Sequence, residues 1–290
     1  MELVMDEFKK NLRASVGFRV FVYLFALLLC VLIGSVITLF LMGDITQMKI
    51  GQGISSTLIF IVPPIILYAI TRNQSMRRLG FRKPNTAWML LIGVVLMFVS
   101  LPLTNQLTTW NEQMNFGEAF ESLEAMLKQL EDTAGDLTER MLQVDTFGGL
   151  LFNLLVIALI PAIGEELTFR GVLQQALTRK CNVHVAVFLS AFIFSFIHFQ
   201  FYGFLPRMFL GLLLGYLFYY SGSLWTSILM HFFNNGAAVV VSYQQYKERI
   251  DVDVDHFGAT DSVWVLLASL IVTVGLIVLS AKINKRYGRA

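Results

Sequence analysis

Long apolar runs, each free of Asp, Glu, Lys and Arg, alternate with short polar stretches along this chain. Val20 to Gly43, Ile50 to Thr71, Pro84 to Asn111, Thr146 to Gly164, Cys181 to Pro206 and Ser262 to Ala281 are such runs. Met208 to Tyr246 is long enough for two crossings, divided by the turn signal Ser221-Gly222-Ser223. A helix needs about 20 mainly apolar residues to cross ~30 Å of hydrocarbon, and lipid offers no partner to an open strand edge. The pattern therefore predicts an all-α, polytopic membrane helix bundle of about eight transmembrane helices. The first run is too long for a signal-peptide core, and no small-residue cleavage site follows it closely, so it reads as a retained span.

One stretch breaks the pattern. Asn105 to Asp145 holds nine acidic residues from Glu112 onward, against Lys128 and Arg140. Phe120, Leu123, Leu127 and Leu130 recur there at helical spacing between Glu118, Glu121, Glu124 and Glu131, which predicts an amphipathic helix lying over the bundle. It fits a lid or substrate-contact element as well as a solvated connector. The chain thus divides into an N-terminal membrane region of three spans with the acidic segment (1–146), a core of four spans (147–242), and a loop with the last span (243–290).

Composition agrees with a bilayer as solvent: 56% of residues are hydrophobic, 14% are charged and mean hydropathy is +0.66. Charge adds an orientation. Lys9, Lys10, Arg13, Arg19, Arg72, Arg77, Arg78, Arg82, Lys83, Arg170, Arg179, Lys180, Lys282, Lys285, Arg286 and Arg289 would share one side, 16 of the 22 basic residues. Lys49, Lys128, Arg140, Arg207, Lys247 and Arg249 remain for the other. The positive-inside rule puts both termini of this integral, multi-pass protein in the cytoplasm. The net charge of +2 carries no nucleic-acid signal, because the basic residues sit at helix ends where snorkelling and the lipid bilayer account for them. Cys30 and Cys181 are not placed to form a disulfide.

Ionisable groups inside a membrane cost roughly 2.5 to 3.5 kcal/mol each on insertion scales, so each demands a reason. Glu165, Glu166 and Arg170 continue directly from the fourth run, His198 lies in the fifth, and His231 and Asn235 lie four apart in the seventh, on one helix face. If the fourth helix runs on to about Arg179, Glu165 lies ~21 Å from that end, level with His198 at ~22 Å along the fifth. His231 and Asn235 then lie ~12 and ~18 Å deep. A helix stopping at Gly164 would separate the carboxylates from His198. Pro161 cannot donate to the Ile157 carbonyl, so a local kink is expected beside them. Taken singly, Glu166 and Arg170 also fit a neutralising pair, His198 a packing histidine, and Asn235 an interhelical clamp. His184 and His256 are given no role.

Together Glu165-Glu166-x-x-x-Arg170, Phe194-x-x-x-His198 and His231-x-x-x-Asn235 resemble the three ordered motifs of the CAAX-protease and bacteriocin-processing family, the type II CAAX-prenyl-endopeptidase-like membrane proteases also known as Abi proteins. The resemblance covers roughly Phe147 to Ser242. It implies an eight-span fold with a catalytic cavity facing the cytoplasm, and an intramembrane endopeptidase acting on a membrane-associated peptide or protein. Glu165 would activate water with His198 helping to hold it, Glu166 and Arg170 would shape the site, and His231 and Asn235 would stabilise the oxyanion or hold a metal. The residues themselves agree, since a desolvated carboxylate is a stronger base and donors aimed at a tetrahedral oxygen act strongly in a dry site.

Zinc takes three or four N, S or O ligands, and a Glu165 or Glu166 carboxylate with His198 and His231 is a chemically adequate set. HExxH is absent, Asn235 is a poor zinc ligand, and no second carboxylate is spaced in sequence to orient either histidine. The metal-independent mechanism, with Glu165 as unaided base, is therefore preferred. An ion- or proton-coupled carrier is the alternative from another class, though the first three spans lack a counterpart of the polar set. A noncatalytic scaffold or immunity protein is a third reading.

Overall fold

The structure, a computed structural model, describes residues 16–70, 79–248, 250 and 258–287. Lys9, Lys10, Arg13, Arg72, Arg77, Arg78, Arg249, His256 and Arg289 lie outside the described residues. Within them the chain is helical, with no strand. In order run α1 (Val16–Phe40), α2 (Ile45–Ile70), α3 (Trp88–Val99), α4 (Leu101–Glu112), α5 (Glu121–Leu142), α6 (Phe147–Leu177), α7 (Val183–Phe196), α8 (Phe204–Ser221), α9 (Leu224–Tyr246) and α10 (Val263–Tyr287).

Five of these, α1, α2, α6, α9 and α10, are long and apolar enough to cross a membrane, and α3 with α4 makes a sixth if the pair, bent by 44°, is one span. The bend falls at Ser100-Leu101-Pro102, where proline has no N–H for the ladder. The two remaining expected spans are also helices, but α7 has only 14 residues and α8 has 18. The eight expected spans thus all become helix among the described residues, while five to six meet the length and composition of a full crossing.

Local signals set the starts of the helices that carry the site. Thr146 accepts from Gly149 N at the head of α6 (3.0 Å), and Asn182 accepts from Val185 N at the head of α7 (3.0 Å). Helix α6 is the hub, touching α2, α7, α8 and α9. It passes unbroken through Gly164 and the two glutamates, as the depth argument requires. A Cβ at Gly164 would meet Phe60 Cβ of α2 at 2.8 Å, so glycine is what admits α6 this close. Two stretches of α6, Leu154–Leu159 and Leu167–Gln174, are wound as π-helix. The first leads directly into Pro161; the second contains Arg170 and Gln174, whose side chains reach α8.

The acidic amphipathic helix is present as α5, after a 3-10 turn at Glu118–Phe120. Its inward edge is not the apolar stripe. Glu124 and Met141 are buried and Leu127 and Glu131 half-buried, whereas Phe120, Leu123, Met126 and Leu130 are exposed. The helix packs on the bundle by the boundary between its two faces, leaving one exposed flank apolar and the other acidic.

Candidate active site

Glu166 is the centre of the site. It has no exposed surface, and its Oε1 accepts from Arg170 Nη1 (2.5 Å), one turn on in α6, and from His231 Nδ1 (2.9 Å) of α9. Arg170, equally buried, uses Nη2 on the Gly211 carbonyl of α8 (2.8 Å), and Gln174 repeats the contact one turn later on Gly215 O (2.9 Å). Glycines at 211 and 215 bring the α8 backbone within reach of these side chains. The pair is thus more than a helix-end neutralisation: it ties α6, α8 and α9 together.

The expectation that no second carboxylate orients a histidine is corrected here. Glu166 holds the His231 Nδ1–H, which fixes the tautomer and leaves Nε2 bare in the neutral ring. Sequence spacing could not show this, because the two residues are 65 positions apart. Nε2 faces Glu165 Oε2 at 3.7 Å, too far for a direct hydrogen bond but close enough for both to touch one small molecule. Glu165 is 9% exposed where Glu166 is 0%, so the first carboxylate borders the space beside α6 and the second is sealed.

His198 lies two residues beyond the end of α7, where its Nδ1–H donates to Phe194 O (2.7 Å). No direct polar contact joins it to Glu165. Their link is Phe194, whose buried ring meets His198 edge-on (5.2 Å) and His231 edge-on (5.9 Å) and lies under the Arg170 guanidinium (5.0 Å). The Phe of Phe194-x-x-x-His198 therefore spaces the two imidazoles and covers the buried charge. Asn235 sits one turn beyond His231, half-buried; its Oδ1 accepts from Asn234 Nδ2 (3.3 Å) and its own Nδ2 has no partner among the described residues.

Two basic residues move relative to the charge count. Arg170 belongs to the buried site and not to a loop, which takes one residue from the cytoplasmic tally. Arg207, assigned to the far side, lies in the first turn of α8 and donates to Gln200 O (3.3 Å) and Gln200 Oε1 (3.0 Å). It is within electrostatic reach of Glu165, His198 and Glu131. Sequence reasoning missed it; the only available signal was an isolated Arg in an otherwise apolar run. Beyond it, Glu131 of α5 accepts from Tyr202 N (3.0 Å), so α5 is latched to the loop between His198 and α8. Burial pushes the Glu131 carboxyl above its usual range despite that hydrogen bond.

Among the described residues no group of three His, Cys, Asp or Glu converges to hold a metal. Glu166 is committed to Arg170 and His231, His198 stands apart, and only Glu165 Oε2 and His231 Nε2 form a two-donor pair. As arranged, these residues do not fit a zinc site, for which three protein ligands are the usual minimum.

Fold and site together define a multi-span helical membrane protein with a buried carboxylate–imidazole–guanidinium centre. Residues 147–237, about a third of the chain, match the family model described as Rce1-like, type II CAAX prenyl endopeptidase Rce1-like. The match begins at the head of α6, ends two residues after Asn235 and so encloses all six candidate residues. No curated protein and no solved structure matches the chain.

Proposed function

We propose that this protein is an intramembrane endopeptidase that hydrolyses a peptide bond in a membrane-associated protein or peptide. The observation that carries this reading is the placement of Glu165 Oε2 opposite the bare Nε2 of a histidine whose other nitrogen is held by a buried carboxylate. A base beside an oriented imidazole is what water activation at a peptide carbonyl requires.

Glu165 takes a proton from a water whose oxygen bonds to the scissile carbonyl carbon. The negative charge that develops on the carbonyl oxygen is stabilised by Asn235 Nδ2, and His198 helps to hold the water. The proton passes from Glu165, directly or through His231 Nε2, to the leaving nitrogen as the C–N bond breaks. Glu166 and Arg170 keep His231 in register and their charges balanced. No step runs through a metal, and both termini lie in the cytoplasm.

The test compares membranes of cells producing wild-type protein or Glu165→Gln by identifying new peptide termini, together with ion flux in reconstituted vesicles. Wild-type-dependent cleavage that falls about 10²–10⁴-fold in the variant, at unchanged melting temperature, is expected. Ion flux without cleavage would assign the polar set to a carrier instead.

A further inference from the structure

At the end of the bundle opposite α5, the connector before α3 meets the turn between α8 and α9 and the last turns of α10. Between them lies a cavity of about 870 Å³, lined by Phe81, Arg82, Lys83, Tyr219, Trp225 and Asn284 among others. We propose that it is a binding site for the phosphodiester headgroup of an anionic phospholipid.

Its walls are built rather than incidental. Arg82 Nε donates to Gly222 O, Ser223 Oγ donates to Arg82 O (2.5 Å), Leu224 N to Gly80 O (2.7 Å), and Asn85 N to Ser221 O (3.0 Å). Asn85 Nδ2 adds bonds to Tyr220 O (2.8 Å) and to Asn284 Oδ1 of α10 (3.1 Å). Gly222 holds φ at +65°, and a Cβ there would meet Arg82 Nη2 at 3.0 Å, so only glycine lets the guanidinium lie across the turn.

Charge selects the ligand. Lys83 is exposed, Arg82 is tethered at its rim, and neither has an acidic partner among the described residues. No Asp or Glu occurs from Ile45 to Asn111, from Leu167 to Lys247, or after Asp261, the segments that supply every wall. A cation pair without counter-ions draws an anion. The neighbouring aromatics, Trp225 at 46% exposure edge-on to Phe81 (5.3 Å) and Tyr219 at 41%, are the residues that settle at the headgroup level. Because three helix junctions meet here, the cavity sits at the interface band, where basic pockets between membrane helices take anionic headgroups. The volume admits a headgroup and its glycerol. The site abuts the first turn of α9, the helix that presents His231 two turns later, so its occupant braces that helix.

The full chain, purified in detergent and delipidated, is titrated with phosphatidylglycerol, phosphatidylcholine or inorganic phosphate, with bound mass followed by native mass spectrometry and stability by melting temperature. One phosphatidylglycerol per chain is expected to bind and stabilise, more tightly than phosphatidylcholine, with inorganic phosphate at millimolar concentration without effect. Lys83→Gln breaks no contact of the fold and should weaken that binding about fivefold. Arg82→Gln should weaken it further. Equal retention by wild type and Lys83→Gln, or equal stabilisation by inorganic phosphate, would overturn the proposal. The readout is lipid bound, so the outcome is independent of whether the chain cleaves peptides.

Discussion

Glu166 and Arg170 are both removed from solvent, and each keeps an atom with no hydrogen-bond partner among the described residues, Oε2 on the carboxylate and Nε on the guanidinium. Such a pair contributes little net stability while intact but is costly to break. Arg170→Ala should lower stability by about 3 to 5 kcal/mol, read as a fall in melting temperature, because it leaves a buried carboxylate with only an imidazole partner. Adding Glu166→Gln should recover much of the stability but not the cleavage, since an amide can offer His231 Nδ1 either an acceptor or a donor and no longer fixes its tautomer as an acceptor-only carboxylate does. Full activity in the double variant would reduce the pair to a structural clamp. For the metal question, purified active protein is expected to hold substoichiometric zinc and to keep its activity after chelation and gel filtration. Stoichiometric zinc, lost and restored in step with activity, would make His198 and His231 ligands.

At the scale of elements, α7 and α8 are pressed together at Gly211, where a Cβ would stand 3.0 Å from Ala191 Cβ and 3.1 Å from its Cα. Those are small-residue contacts of the kind that hold membrane helices. Gly211→Val should cost about 1–3 kcal/mol by overpacking. It should reduce cleavage more than stability, because it displaces both the carbonyl held by Arg170 and the helix that carries Phe194. An equal loss of both would show that the site moves rigidly with α7. The latch of α5 on the loop after His198 gives a pH prediction. Burial raises the folded pKa of Glu131 above its unfolded value, so protonation favours the fold, and that benefit is present at low pH and lost as pH rises through the folded pKa. Glu131→Gln should therefore melt at or above the wild-type temperature at pH 7.5, with the difference vanishing near pH 4. A variant that melts lower at pH 7.5 would mean that the ionised carboxylate is the favoured partner of Tyr202 N.

For the whole molecule, the polar groups beyond Glu165, namely Arg207, Gln200 and Glu131, lead toward the end that carries α5. The basic junctions lie at the other end. The positive-inside rule puts the α5 end outside the cytoplasm, whereas the family resemblance implies a cavity facing in. Cysteine labelling in intact cells separates the two. Glu124 is buried, so the probe belongs at exposed Glu121, which an impermeant maleimide should modify, while Lys83→Cys should react only after permeabilisation. The reverse pattern would invert the topology and bring the α5 end to the cytoplasm.

The chain by itself determined the all-helical membrane class, because runs of apolar residues long enough to cross hydrocarbon leave helix as the one local solution for the backbone. It also determined the depth of Glu165, since rise per residue is constant as long as the helix continues, and α6 does continue. The motif residues were legible for the same reason: charge in an apolar run has no local explanation. Tertiary structure alone decided how they are wired. The Glu166–His231 bond joins helices 65 residues apart, Phe194 proves to be a spacer between two imidazoles, and Arg207 approaches Glu165 only because the short α7 turns back at His198. The inward edge of α5 was decided there too, because amphipathicity records how a helix divides lipid from water, whereas packing on the bundle followed the boundary between those faces. Periodicity reports contacts along one helix; the meeting of four helices around Glu166 depends on glycines and π-turns whose effect appears only when the helices are packed.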